Sequence, residues 1–289
     1  MMKMLLLAAA VTFAGCMREM DPKPAVPAQS APPTYLCVGM EMSKRFGECP
    51  GCRSDAIYLS SLMGSLGYKG DLLISSEATK DAVVERLRKG VDSTPENGLF
   101  LFFYSGHGGQ EFLGGKEPDG SDREDEYLCL YDSHMMDDEI WSIVSKCKGR
   151  VFLYFDACHS ATMYRSVASD LKVPRGDKPV AVALGADLVR SKGFTLRADR
   201  FVKARALSSD GPRAEPRILC WSGCREAEYS FGSLRGGELT LAVAAYWKKG
   251  VTYDDLWSKV SAWVNASQKT QHPVQTNLGG FPVGAEAFR

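Results

Sequence analysis

The sequence has no excess of charge of either sign: Lys+Arg and Asp+Glu both number 35, for a formal net charge of +0. That balance excludes a global footprint for nucleic acid, so any charge selectivity must be local. No repeat with a period of about 20–50 residues is present, which excludes solenoids and propellers. Long hydrophobic runs are missing as well. The apolar stretch from Met4 to Ala14 is too short to anchor the chain across a bilayer and reads as a targeting segment. What remains is 289 residues at 45% hydrophobic content, enough for a sizeable globular core.

Lys3 precedes that apolar stretch, which closes on Phe13-Ala14-Gly15-Cys16. Small residues before a cysteine resemble the lipobox of bacterial lipoproteins, in which the cysteine is acylated after cleavage. On this reading residues 1–15 are a signal peptide and Cys16 is the lipidated residue; a plain secretory signal is the alternative. Residues 16–33, with Pro22, Pro24, Pro27, Pro32 and Pro33, cannot bury a core and read as a tether. Residues 34–289 are then a folded domain. It is expected to be exported to the cell envelope and held at a membrane by its lipid.

Nine cysteines are compatible with export, which permits disulfides, but their pairing cannot be read from spacing. Cys49-Pro50-Gly51-Cys52 reads first as a structural disulfide. Its alternatives are a thioredoxin-like redox site and, with Cys220 and Cys224, a zinc site.

Strand and helix patterns alternate along the domain. Tyr35 to Met40 reads as a core strand. Leu59, Leu62, Met63 and Leu66 mark a helix from about Ser54, and Asp71 to Ser75 a short strand. Thr79 is placed to cap a helix that Gly90 is placed to stop. Asp137 and Asp138 open a helix, Arg217 to Ser222 is a strand, and Leu239 to Trp247 a helix. Thr252 with Asp255 caps a last helix. This alternation predicts an α/β fold with a parallel sheet covered by helices.

Two runs stand out, Leu99 to Tyr104 and Val151 to Phe155, each apolar throughout and suited to strands buried on both faces. Each is expected to break into a small-residue turn that carries chemistry: Ser105-Gly106-His107-Gly108-Gly109 and Asp156-Ala157-Cys158-His159-Ser160. Open α/β sheets place their sites at such carboxyl ends. A cysteine thiolate beside an imidazole is the apparatus of a cysteine hydrolase, with His107 as base and Cys158 as nucleophile. The backbone N–H groups of Gly108 and Cys158 are the natural oxyanion hole.

Tyr104-Ser105-Gly106-His107-Gly108 and Asp156-Ala157-Cys158-His159-Ser160 resemble the two signature motifs of metacaspases. The compact chain resembles the bacterial orthocaspases among them. The separation of 51 positions agrees with the roughly 50 residues between histidine and cysteine in caspases. The resemblance extends to Cys52-x-x-Asp55-Ala56, the Asp119-Gly120 loop with Asp132, and Glu226 followed by Gly237-Glu238-Leu239-Thr240. It implies a caspase-like three-layer α/β/α sandwich with a mostly parallel central sheet, and a single chain acting as a monomeric cysteine endopeptidase. Asp55, Ser105 and Asp156 match residues lining the S1 pocket in that family, which implies cleavage of peptides and proteins after Arg or Lys. Asp122, Asp137 and Asp138 match places where some members hold Ca²⁺, although the dyad itself requires no cofactor. Ala161 stands where the family usually has glycine, and Arg165 where it often has an acid. The basic segment Arg165–Arg213 is an exposed loop on this reading, open to self-cleavage. A non-catalytic caspase-like binding module and a C-x-x-C oxidoreductase are the rival functions.

Overall fold

A computed structural model describes residues 33–116, 122–158, 216–225, 228–268 and 270–289, with the backbone alone described for 111–116, 122–125 and 158. The signal peptide at 1–15, Cys16, nearly all of the tether, the Asp119-Gly120 loop, His159, Ala161, the basic segment and Glu226 lie outside the described residues.

The apolar runs form the centre of one sheet. Strands β1 (Thr34–Gly39), β4 (Lys69–Ile74), β5 (Leu99–Lys116), β8 (Arg150–Cys158) and β9 (Arg217–Ser222) pair in parallel in the order β9-β8-β5-β1-β4. Strand β12 (Val274–Leu278) adds antiparallel to β9 at the outer edge. The sequence signal for β12 is weak because its central residues are Gln275, Thr276 and Asn277. Its place is fixed instead by β9, where the buried Trp221 donates from Nε1 to Gln275 Oε1 at 2.8 Å.

Period-two alternation sends neighbouring residues to opposite faces. Phe100, Phe102 and Tyr104, with Val151, Leu153 and Phe155, pack under α2 (Lys80–Ser93) and α3 (Asp137–Val144). Leu99, Leu101 and Phe103, with Phe152 and Tyr154, pack under α1 (Cys52–Ser65), α4 (Glu238–Tyr246) and α5 (Tyr253–Ser267). The result is the three-layer α/β/α sandwich with a mostly parallel central sheet. No helix among the described residues is long and apolar enough to cross a membrane.

Local signals held at the helix starts. Thr79 accepts from the Ala82 N–H at 3.3 Å, and Thr252 from that of Asp255 at 3.1 Å. Two expectations are corrected. Gly90 does not stop α2, which runs on to Ser93. Gly90 is there for space, since a Cβ on it would lie 2.2 Å from the Phe100 ring. Nor does either run break at its expected turn: β8 carries on through Asp156 and Ala157 to Cys158, and β5 through Ser105. Strand β5 continues to Lys116, leaving its parallel partners and pairing antiparallel with β6 (Asp122–Cys129) from Gly108 onward. His107 therefore sits within a strand, one residue before β5 changes partner.

Candidate active site

Register brings the two reactive residues together. β5 and β8 pair from Leu99 with Arg150 through Ser105 with Asp156 to His107 with Cys158. Adjacent strands lie about 4.8 Å apart, and residues paired in register share a face of the sheet. The imidazole and the thiol-bearing residue thus occupy neighbouring positions at the carboxyl edge.

His107 is 2% exposed, and its Nε2 lies 2.9 Å from the carbonyl oxygen of Glu48. A carbonyl only accepts, so in the neutral ring Nε2 carries the proton and Nδ1 the lone pair. Glu48 ends β3 (Gly47–Glu48), which forms a two-strand ribbon with β2 (Met42–Ser43). The backbone at His107 is held as well. Tyr104 Oη lies 2.7 Å from the His107 carbonyl and 2.6 Å from that of Cys129, its O–H shared between them. Gly106 leaves room for this, because a Cβ there would come 2.4 Å from that hydroxyl. Glu48 is not visible as a site residue in the sequence, since it acts through its main chain, and Tyr104, although it opens the first signature motif, reads as core.

The two aspartates meet around one segment. Asp55, on the first turn of α1, accepts from Ser105 Oγ at 2.7 Å and from the Gly237 N–H at 3.0 and 3.1 Å. Asp156 accepts from the Thr240 N–H at 2.8 Å, Thr240 Oγ1 at 2.7 Å and Ser230 Oγ at 3.3 Å. Gly237 supplies no side-chain cap to α4, so the Asp156 carboxylate caps that helix from across the site and faces the positive end of its dipole. Gly236 and Gly237 are needed for the approach. A Cβ on Gly237 would lie 2.3 Å from Asp156 Oδ2, and one on Gly236 2.1 Å from Asp55 Oδ1. Gln271, fully buried, ties the same segment by donating to Ser230 Oγ at 3.0 Å and to the Gly223 carbonyl at 2.7 Å. The structure thus brings Asp55, Ser105 and Asp156 into one buried polar cluster near where β5 and β8 stop pairing, with His107 buried two positions further along β5. Thr240, which the resemblance includes together with Gly237, belongs to it, as do Ser230 and Gln271, which no sequence motif singles out.

The comparisons with known proteins agree. A family model for the caspase domain (peptidase C14) matches residues 36–278. The chain belongs to the caspase-domain family. Metacaspase-1 of Pyricularia oryzae is 27% identical over 288 residues, spanning 83% of this chain and 72% of that protein. Metacaspase-1A of Aspergillus fumigatus is 26% identical over 290 residues, spanning 84% and 70%. Among solved structures, a protein from Geobacter sulfurreducens superposes with a TM-score of 0.62 at 21% identity, covering 89% of this chain and 98% of that one. Caspase-1 from Spodoptera frugiperda gives 0.50 at 15% identity, covering 85% and 87%. These two likenesses are of fold. Membership in the caspase-domain family makes the chain a cysteine-peptidase type acting on proteins, and it does not favour the oxidoreductase reading of Cys49 and Cys52.

Metal sites fare differently. Among the described residues, no group of three or more His, Cys, Asp or Glu side chains gathers to hold a metal ion. The zinc alternative is corrected accordingly: Cys220 lies beside Ser222 at 3.8 Å and Cys224 beside the Glu228 carbonyl at 3.5 Å. For Ca²⁺ the relevant pair is Asp137, buried and accepting from the Asp138 N–H at 3.0 Å, and Asp138, which is exposed. The side chain of Asp122 is not among those described.

Proposed function

We propose that this caspase-domain protein is a cysteine endopeptidase that cleaves after Arg or Lys, with Cys158 as nucleophile and His107 as general base and acid. The observation that carries the reading is the register of His107 against Cys158, with Nε2 of the imidazole committed to the Glu48 carbonyl. Nδ1 then takes the thiol proton, and the thiolate attacks the scissile carbonyl carbon. The N–H groups of Gly108 and Cys158 receive the developing oxyanion. The C–N bond breaks as the imidazolium returns its proton to the leaving amine, leaving an acyl-enzyme. Water, deprotonated by the same imidazole, releases the acid and the free thiol.

Asp55, Ser105 and Asp156 form the S1 pocket in this reading. Two buried carboxylates beside the nucleophile favour a cationic P1 side chain and repel an acidic one. The basic segment Arg165–Arg213 is a substrate for self-cleavage, and Ca²⁺ is an activator for which Asp122, Asp137 and Asp138 would supply hard oxygen ligands. Acylation at Cys16 sets the enzyme at a membrane of the cell envelope.

A peptidyl-arginine chloromethyl ketone should label Cys158 in the wild-type protein and fail to label it in His107→Ala. No labelling of either protein would leave the non-catalytic binding module. Turnover of an aspartate-P1 peptide matching that of the arginine peptide would overturn the pocket assignment.

A further inference from the structure

The C-x-x-C motif is not absorbed by the peptidase reading, yet it sits at the hinge of the site. Cys49 follows Glu48, whose carbonyl holds His107, and Cys52 is the first residue of α1, whose first turn also carries Asp55. Each cysteine is 3% exposed, while Pro50 between them is exposed. Their sulfur atoms lie 2.7 Å apart as thiols. The turn that presents them is tightly held. The Cys49 N–H donates to the Glu41 carbonyl at 2.8 Å, and that of Cys52 to the Cys49 carbonyl at 3.3 Å. Gly51 has a φ of 95°, and a Cβ on it would lie 2.2 Å from the Ser233 carbonyl. Ser233 belongs to the β10–β11 ribbon (Gly232–Ser233 with Gly236–Gly237), which also gives Gly237 to Asp55.

We propose that Cys49 and Cys52 are a modification site: they close to an intramolecular disulfide that clamps the turn between the Glu48 carbonyl and the start of α1. The oxidant is a small-molecule disulfide such as oxidised glutathione. One protein thiolate attacks it, releasing one glutathione and leaving a mixed disulfide. The second protein thiolate attacks the protein sulfur of that bond and releases the other glutathione. Two protein thiols become one disulfide, and the two electrons and two protons end on two glutathione molecules. The sulfur atoms already face each other in the arrangement that seats His107 and Asp55, so closure leaves that arrangement in place. Reduction removes the covalent tie and leaves the turn to its hydrogen bonds, so the Glu48 carbonyl and Asp55 are held less stiffly than with the bond closed. The effect on rate rests on the dyad reading above; closure of the bond and its effect on stability do not.

The full chain provides a direct assay, because trypsin releases both cysteines in the peptide Phe46–Arg53. After equilibration of Cys158→Ala with oxidised glutathione, that peptide should resist alkylation and weigh two hydrogens less. A reducing agent should restore both thiols. The oxidised protein should melt about 3–6 °C above the reduced one. The difference should vanish in a Cys49→Ser, Cys52→Ser double variant. In the protein with Cys158 intact, the rate per titrated active site should be several-fold higher with the clamp closed. A peptide that stays fully alkylatable at every glutathione ratio overturns the site. Closure without change in melting or in rate per site overturns the clamp. If the titrant labels no form of the protein, the dyad reading fails, and the melting difference alone decides the clamp.

Discussion

From Leu99 to Tyr104, β5 buries only apolar and aromatic side chains, and β8 does the same from Val151 to Phe155. A few residues further on, the same strands bury Ser105, His107 and Asp156 at 2% exposure or less. The apolar halves hold themselves: their main chains pair with neighbours, and their side chains need only volume and contact. The polar ends cannot. His107 depends on Glu48, Asp55 on Ser105 and Gly237, and Asp156 on Thr240 and Ser230. All but Ser105 come from outside the sheet. The sheet therefore supplies the reactive residues and their position, while helix starts and loops supply the partners that hold them, and the apolar and polar parts of the strands are separable by mutation.

The sharpest separation is Cys158→Ala. It should lower kcat/KM for an arginine peptide by about 10⁴-fold or more, equivalent to roughly 5.5 kcal/mol, and leave the melting temperature nearly unchanged. Phe152→Ala should do the reverse. That ring meets Trp221, Tyr253 and Phe288 at centroid distances of 5.0, 5.2 and 5.7 Å. Its removal should cost about 3–5 kcal/mol in urea unfolding, with the rate per titrated active site preserved. A fall in that rate proportional to the lost stability would show that the two halves of the strands are not independent.

Asp156→Asn falls between these cases because Asp156 serves both halves. The amide oxygen still accepts from Thr240, so the α4 cap is weakened rather than lost, at a cost of about 1–2 kcal/mol. Without the charge, preference for an arginine over a neutral P1 residue should drop by at least about tenfold. Competition between the two peptides measures the preference; an unchanged ratio would leave Asp156 a helix cap only.

The apolar halves were legible in the sequence because continuous hydrophobic runs and period-two alternation are properties of the run itself. The helix caps at Thr79 and Thr252 were legible for the same reason, each being local. His107 and Cys158 could be singled out, but the expected turn at Ser105 was wrong. Small residues there serve Tyr104 and the change of strand partner, which depend on β6. Glu48, Ser230 and Gln271 were illegible: a main-chain carbonyl has no residue signature, and a buried polar side chain gains meaning only from the partner that the fold brings to it. β12 was missed because an edge strand of polar residues is specified by its neighbour.

The smallest effect tests the outer layer, away from both strand ends. Glu139, in the first turn of α3, accepts from Lys80 Nζ at 2.8 Å and from the Met136 N–H at 3.1 Å. Burial alone would raise its carboxyl. The hydrogen bonds from Lys80 and Met136, with the charges of Lys80 and His134, outweigh that and hold it below the usual range. A carboxylate depressed in the folded state stabilises the protein above its unfolded pKa of about 4.3, and the contribution fades as pH falls through the folded value. The two side chains are 32% and 40% exposed, so solvent screens the pair and Glu139→Gln should cost less than about 1 kcal/mol at pH 7. Urea midpoints of the two proteins should converge on the acid side, and salt near 1 M should narrow the gap at neutral pH. A gap that persisted in acid would assign the effect to weaker hydrogen bonding by the amide oxygen at Met136 and Lys80 rather than to the charge of Glu139.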